Sequence, residues 1–197
     1  TTFGNVAKTA GVERIVYLGG LHPDGELSEH LASRVEVGRI LLDSGVPTAV
    51  LQAAVVLGAG SVSFEMLRNL SERLPGAIAP RWVRNRIQPI AVADLLHFLV
   101  AAADLPPELN RTFDIGGPDV LTYADMMKRY AQARGLGPRL VITAPVTTPR
   151  LGARWVGLVT PIPTGFAEPL VGSLLHDTVV KEHDLVDLVG PPPGGAL

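Results

Sequence analysis

The alternation of apolar and polar blocks between residues 14 and 58 predicts a strand, a helix and a second strand. Residues 14–20 and 47–57 are short runs of β-branched and aliphatic residues, the first ending in Gly20 and the second followed by Gly58, as is typical of strands buried on both faces of a parallel sheet. Apolar residues recur at helical spacing between these runs, so we predict a crossover helix over residues 28–44. Two parallel strands need such a crossover. We therefore expect an α/β fold whose ligand site lies at the carboxyl ends of its strands.

The remaining pattern extends this α/β arrangement. It predicts helices at residues 62–74, 94–103 and 123–134, strands at 111–116 and 139–144, and an irregular connection at 75–85. Residues 87–92 are predicted to form a short edge strand or an extended segment, because Pro89 has no N–H to donate to a neighbouring strand. Thr122 and Asp125 have the spacing of a capping box at the start of a helix.

The composition of the chain changes after residue 144, where proline and glycine recur every few residues. The segments 151–159 and 166–175 stay apolar and predict short helices in a small lobe. We therefore divide the chain into an α/β domain at residues 1–144, a mostly helical lobe at 145–190 and a Pro/Gly-rich tail at 191–197. Residues 1–12 read as the last turns of a helix that ends at Gly11, so we expect the sequence to begin within the fold.

Composition excludes several classes of protein. The 197 residues are 47% hydrophobic, which argues against disorder and is enough for a substantial core. The formal charge is −2, and the basic residues do not cluster into a block. Both observations argue against nucleic acid as a partner. There are no cysteines, so disulfides and thiolate chemistry are excluded. No apolar run is long enough for a membrane span and no signal peptide is evident, so we expect a cytoplasmic protein.

Four local features are candidates for chemistry. One is Gln88-Pro89, which either places an amide in a pocket or satisfies backbone groups at a strand end. His30 and Arg34 are four residues apart and share a helix face; they are either a proton donor and a cationic anchor beside a ligand or a solvated pair, and the spacing alone favours the second. The turn at residues 58–61 either binds an anion at a helix N-terminus or simply connects a strand to a helix. Three arginines flank Trp82 and either clamp a phosphate or carboxylate or are solvated: Arg81, Arg84 and Arg86. The histidines have no metal-ligand spacing, so no metal is predicted.

Five segments in the same order resemble the C-terminal part of atypical short-chain dehydrogenase/reductases. These segments are Arg14-Ile-Val-Tyr-Leu-Gly-Gly-Leu, His30-Leu-Ala-Ser-Arg34, Gly45-Val-Pro-Thr-Ala-Val-Leu-Gln, Gln88-Pro-Ile-Ala-Val-Ala-Asp94 and Phe113-Asp-Ile-Gly-Gly-Pro-Asp-Val-Leu-Thr122. The family includes NAD(P)H-binding proteins like nucleoside-diphosphate-sugar epimerases, the accessory subunit of respiratory complex I and NmrA regulators. The resemblance implies a Rossmann-like, doubly wound fold that binds NAD or NADP.

The resemblance also implies the site residues. Active relatives carry a Tyr and, four residues later, a Lys on the crossover helix, and the matching positions here hold His30 and Arg34. The relatives' serine at the end of the preceding strand is matched by Gly19 or Gly20. The implied cofactor-binding residues are Gly19, Gly20, Leu21, Arg34, Ala53, Ala54, Val55 and Val56, and the implied substrate-side residues are His22 and Gln88.

Two functions follow from the resemblance as expectations. The first is an NAD(P)-binding oxidoreductase or sugar-nucleotide-epimerase-like protein that acts on a small molecule or nucleotide. The second is a non-catalytic NAD(P) sensor or scaffold of NmrA type, which the loss of the Tyr and Lys favours. The glycine-rich first βα unit of the family has no counterpart in this sequence. We therefore expect a missing N-terminal segment or another chain to complete the sheet beside residues 14–18.

Overall fold

The computed structural model describes residues 2–193 except 24, 26 and 145–147. It contains eight α-helices within this range: α1 Thr2–Thr9, α2 Glu29–Leu42, α3 Val62–Arg73, α4 Val92–Ala101, α5 Tyr123–Ala133, α6 Pro149–Val159, α7 Thr164–Ser173 and α8 Asp184–Val189. The strands are β1 Ile15–Gly20, β2 Thr48–Ala53, β3 Val56–Leu57, β4 Gly76–Pro80, β5 Arg86–Ile87, β6 Ile90–Ala91, β7 Arg111–Ile115, β8 Leu121–Thr122 and β9 Leu140–Ala144. None of the described helices is long and apolar enough to cross a membrane.

The chain divides into two compact units that interleave along the sequence. The first unit comprises Thr1–Ala54, Ile90–Pro118 and Val180–Leu197, and the second comprises Val55–Pro89 and Asp119–Val179. The predicted division at residue 144 remains a prediction.

A three-stranded parallel sheet is the centre of the first unit. Its order is β1-β2-β7, and β2 is buried along almost its whole length, as expected of the middle strand of a parallel sheet. Helix α2 connects β1 to β2 and packs on both, which confirms the predicted crossover. Ser28 caps α2 by accepting a hydrogen bond from the Leu31 N–H. Gly11 has a φ of 72° after α1, so the predicted helix terminator is also confirmed.

The second unit is mostly helical. Helices α6 and α7 pack against each other, and α3 packs against both α5 and α6. Strands β4 and β9 pair in parallel, from Gly76 opposite Leu140 to Pro80 opposite Ala144. Strands β5 and β8 form a short antiparallel pair. The two helices predicted after residue 150 are therefore confirmed as α6 and α7.

Three predicted elements were wrong. The continuous strand at 47–57 is two strands, because the partners of β2 in β1 and β7 end opposite Ala53 and residues 54 and 55 have no ladder to continue. The connection at 75–85 is not irregular: it contains β4 and a 3-10 turn at Arg81–Arg84. Of the two alternatives predicted for residues 87–92, the single edge strand is wrong, because Gln88 and Pro89 separate β5 from β6 and Val92 begins α4. Helix α8 was not predicted.

The predicted capping box at the start of α5 is confirmed and gives a prediction for stability. The Thr122 hydroxyl accepts a hydrogen bond from the Asp125 N–H at 3.1 Å and donates one to the Asp125 carboxylate at 2.6 Å. Replacing Thr122 with alanine is expected to lower the free energy of unfolding by about 1 kcal/mol at pH 7, measured by urea denaturation. Thr148→Ala is the matched control, because Thr148 precedes α6 but its side chain makes no capping hydrogen bond.

The Thr122–Asp125 capping box also predicts how the free energy of unfolding depends on pH. Hydrogen bonding from Thr122, followed by that from Lys128, holds the pKa of Asp125 below its ordinary value. A lowered pKa in the folded state stabilises the protein above the unfolded pKa of about 4, and this contribution is lost as the pH falls through the lowered value. The cost of Thr122→Ala should therefore shrink in acid. An unchanged cost at pH 7 and pH 2.5, or an equal cost for Thr148→Ala, would contradict this account.

Candidate functional site

The carboxyl ends of β1, β2 and β7 meet at one edge of the three-stranded sheet. Gly20 lies opposite Ala53, and Ala53 lies opposite Ile115. The Leu21 N–H continues the ladder by donating to the Ala53 carbonyl at 2.8 Å. Gly19, Leu21 and Ala53 are buried and Gly20 is half-buried. The structure thus brings together four of the residues predicted to face the cofactor.

Arg34 projects from α2 onto this sheet edge. Its Nη2 atom donates to the Leu18 carbonyl at 3.2 Å, and its side chain is half-buried. A Cβ atom placed on Gly20 would lie 3.8 Å from the Arg34 Cδ and 3.9 Å from its Nε. The guanidinium group therefore lies beside the end of β1, and the ribose contact predicted for it stays a prediction.

Close packing of α2 on β1 depends on Gly20. A Cβ atom at this position would lie 2.9 Å from the Cδ2 atom of Leu31, which is closer than side chains normally approach. Leu31 itself is buried, one turn before Arg34. A glycine here lets the helix lie close enough to the strand for Arg34 to reach the Leu18 carbonyl.

His30 lies one turn before Arg34, in the first turn of α2, but it has a different environment. Its side chain is exposed, and the structure shows no hydrogen bond or ion pair to it from the residues it describes. The four-residue spacing places His30 and Arg34 near the same side of the helix. Arg34 nevertheless contacts the sheet, whereas His30 faces solvent. The catalytic role predicted for His30 remains a prediction.

The other predicted residues fall in both units. In the first unit, His22 is half-buried with Nδ1 3.1 Å from the Pro23 carbonyl oxygen, and Ala54 directly follows β2. In the second unit, Val55 and Val56 are half-buried, and Gln88 is buried with its N–H donating to the Thr178 carbonyl at 3.0 Å. Their predicted cofactor and substrate contacts stay predictions.

Two other candidate features have ordinary structural partners. Ser61 caps α3 by accepting from the Phe64 N–H and donates to the Val56 carbonyl, which accounts for the turn at residues 58–61 as a strand-to-helix connection. Arg86 pairs with Asp177 at 2.8 Å, and donation from the Arg86 N–H and guanidinium lowers the pKa of the Asp177 carboxyl. The turn therefore needs no anionic ligand to explain it, and Arg86 has a protein partner, whereas Arg81 and Arg84 are exposed and their predicted anion contact stays a prediction.

One buried carboxylate near the sheet edge was missed by the sequence analysis. Asp114 lies on β7, its carboxylate accepts from the Lys181 N–H at 2.9 Å, and its own N–H donates to the Glu182 carboxylate. These bonds attach the segment that precedes α8 to the outer side of β7. The signal was an acid within the apolar run Phe113-Asp114-Ile115, since a buried acid requires partners. Across the described part of the chain, no three His, Asp or Glu side chains cluster as a metal site would require.

Structural comparison shows which solved proteins share this fold. The chain matches an NADPH-dependent quinone oxidoreductase from Escherichia coli with a TM-score of 0.71 and 20% identity, over 96% of this chain and 66% of that one. It matches a nucleoside-diphosphate-sugar epimerase from Staphylococcus aureus with a TM-score of 0.66 and 19% identity, over 97% of this chain and 65% of that one. It also matches the Citrobacter sp. triphenylmethane reductase complexed with NADP(H), with a TM-score of 0.67 and 17% identity, over 96% of this chain and 65% of that one.

These likenesses confirm the predicted fold. The chain has the Rossmann-like α/β fold that these solved structures share, with a mostly helical C-terminal part. It spans about two thirds of the length of these structures. No protein-family model matches the sequence, and no curated protein matches it significantly.

Proposed function

We propose that this chain forms part of an NAD(P)-binding oxidoreductase or epimerase-like protein in which His30 and Arg34 replace the Tyr and Lys of active relatives. The observation that carries the proposal is the Arg34 guanidinium beside Gly20 at the carboxyl end of β1. The shared fold adds support, because open α/β sheets bind nucleotides at this edge. The NADPH-dependent reductases of the same fold make a nicotinamide cofactor the best candidate ligand.

The residues at the sheet edge fit a flat nucleotide cofactor. Gly19, Gly20 and Ala53 present little or no side chain, so a ring can approach the backbone closely. Within the described residues no carboxylate pairs with Arg34, so its remaining N–H groups are available to ribose hydroxyl or phosphate oxygens. The cofactor would supply or accept a hydride. Leu21 and Ala54 would exclude water around the nicotinamide ring, and the choice between NAD and NADP stays open.

His30 would exchange a proton with the substrate in the enzymatic form of this proposal. An imidazole ring can accept a proton at one nitrogen and, once protonated, donate it, which is the chemistry of a general acid or base. Arg34 would hold the cofactor as a cation and hydrogen-bond donor, and the proton transfer is assigned to His30 alone. His22 would lie on the substrate side, as the resemblance implies.

A second candidate function is cofactor binding without turnover. The exposure of His30 favours it, because a proton donor usually needs a fixed position beside the reacting atom. In this case Arg34 and the small residues at the sheet edge would bind NAD(P), and a partner would recognise the NAD(P)-bound form of the protein.

One experiment separates these readings. NADPH and NADH are titrated calorimetrically into the full polypeptide, and oxidation of reduced cofactor is then followed at 340 nm with a panel of quinones and aldehydes. The proposal predicts saturable binding; a His30→Gln variant that loses turnover about 100-fold while keeping affinity supports the enzyme. Binding without turnover by the parent supports the sensor. Absence of binding at millimolar concentration of both cofactors contradicts both readings.

A further inference from the structure

The outer face of α6 carries two exposed leucines with an arginine between them. Leu151 is 52% exposed and Leu158 is 86% exposed, and Arg154 is exposed between them. The three positions are three and four residues apart, so they form one stripe along the helix. Single exposed leucines are common, but this stripe borders a pocket.

The pocket beside Arg154 lies within the second unit and has a volume of about 550 Å³. It is lined by Arg154, Gly157, Leu158, Thr160 and the loop residues Pro161, Ile162 and Pro163. This volume is within the range of small-molecule sites. The lining is apolar apart from the guanidinium group and the Thr160 residue, so one cation faces a mostly hydrocarbon surface.

The loop that forms the wall of this pocket is held in place. The Thr160 hydroxyl donates to the Val156 carbonyl at 2.9 Å and accepts from the Ile162 N–H at 3.3 Å. Pro161 and Pro163 fix their own φ angles, and Ile162 is buried. A ligand would therefore meet a preformed wall and lose little free energy in ordering it.

A second depression lies on the other side of the same loop. It has a volume of about 360 Å³ and is lined by Gly60, Val62, Glu65 and Asn69 of the α3 region together with Pro161, Ile162 and Pro163. Its charged group is the Glu65 carboxylate, which pairs with Arg68 at 3.3 Å. The two depressions thus share the loop residues Pro161, Ile162 and Pro163.

Arg154 differs from its neighbour Arg150 in its partners. Arg150 lies 3.6 Å from the Glu168 carboxylate, whereas no carboxylate among the described residues pairs with Arg154. An unpaired guanidinium group beside an apolar surface is suited to a carboxylate that carries a hydrocarbon body.

We propose that this pocket binds an anionic amphiphile, namely a carboxylate on an unbranched hydrocarbon chain. The carboxylate would lie against Arg154, and the chain would lie along Leu158 and cross the 161–163 loop toward Val62. The proposal involves residues of the second unit alone, and it is independent of cofactor binding at the three-stranded sheet.

Calorimetric titration of the full polypeptide with decanoate, below the concentration at which it forms micelles, tests the proposal. Saturable binding is expected, with hexanoate weaker because each methylene contributes to burial. Arg154→Gln is expected to weaken decanoate binding about tenfold, the loss of one charge-assisted hydrogen bond. Arg150→Gln is the matched control and should change the affinity less than twofold. Both side chains are exposed, and thermal melts verify that each variant is folded.

Three results would overturn the proposal. The first is the absence of saturable decanoate binding at millimolar concentration. The second is equal binding of decyltrimethylammonium, or an equal effect of Arg150→Gln and Arg154→Gln, since either means that the guanidinium group of Arg154 selects nothing. The third is binding to vesicles of anionic phospholipid without binding of free decanoate, which would assign the leucine stripe to a membrane surface instead.

Discussion

Replacing Arg34 with leucine is expected to weaken NADPH binding by a factor of about 10 to 100, measured by calorimetry. Hydrogen bonds from a charged donor contribute about 1.5–3 kcal/mol, and each 1.4 kcal/mol corresponds to a factor of ten in affinity. The guanidinium group lies beside Gly20 at the strand end, so its loss removes the cation nearest to the proposed ribose site. The bond from Arg34 to the Leu18 carbonyl is also lost, which should lower the free energy of unfolding by about 1 kcal/mol.

Arg39→Leu is the control for this variant. Arg39 lies on the same helix, but it is exposed and pairs with Glu36 and Asp43, so its replacement removes an equal charge away from the sheet edge. Binding of NADPH by Arg39→Leu should match that of the parent within about twofold. If both variants lose affinity equally, long-range charge accounts for the effect and the proposed contact of Arg34 is wrong.

Replacing Gly20 with valine is expected to lower the free energy of unfolding by about 1–3 kcal/mol and to weaken NADPH binding in parallel. The added Cβ atom would lie 2.9 Å from the Leu31 side chain, and the two methyl groups must also displace Arg34. Overpacking of a buried contact typically has a cost of this size. Chemical denaturation measures the first effect, and calorimetry of the folded variant measures the second.

Gly19→Ala is the matched variant for comparison, since Gly19 directly precedes Gly20 on β1. A Cβ atom there would lie 3.5 Å or more from its nearest neighbours, which are Val50, Leu51 and Tyr17. This is ordinary van der Waals contact, so the free energy of unfolding should change by less than about 0.5 kcal/mol. A Gly20→Val protein as stable as the parent would show that α2 is not held against the strand end as described.

The crossover unit could be predicted from the sequence because its signals are local. The apolar run of β1, the Ser28 cap and the helical spacing in α2 lie within a single stretch of chain, and each agrees with the others. The capping box at Thr122 was predictable for the same reason. In the structure, strand β1, helix α2 with its Ser28 cap, and the Thr122 cap of α5 all lie where the sequence pattern predicted them.

The missed elements depend on partners that are distant in the sequence. Strand β4 begins at a glycine and ends at a proline, and it is a strand because β9 pairs with it from far along the chain. The end of β2 at Ala53 is likewise set by where β1 and β7 end, since the apolar run itself continues to Leu57. Pairing of this kind leaves little trace in either segment alone.

The candidate site was predicted in part. The resemblance and the strand ends identified Gly19, Gly20, Leu21 and Ala53, which the structure brings to one edge. The sequence did not predict that His30 and Arg34 have different environments. Residues four apart differ by about 40° around a helix, and the long Arg34 side chain bends toward the sheet while the shorter His30 side chain stays in solvent.

The most direct test of the central claim is to map NADPH-induced protection of backbone amides by hydrogen exchange at single-residue resolution. If Arg34 and the strand ends form the cofactor site, saturating NADPH should slow exchange at Gly20, Leu21 and Ala54 and in the first two turns of α2. It should leave α6 and α7 unchanged. Protection confined to other segments, or no protection at a concentration that saturates binding, would show that the nucleotide does not bind at the carboxyl edge of this sheet.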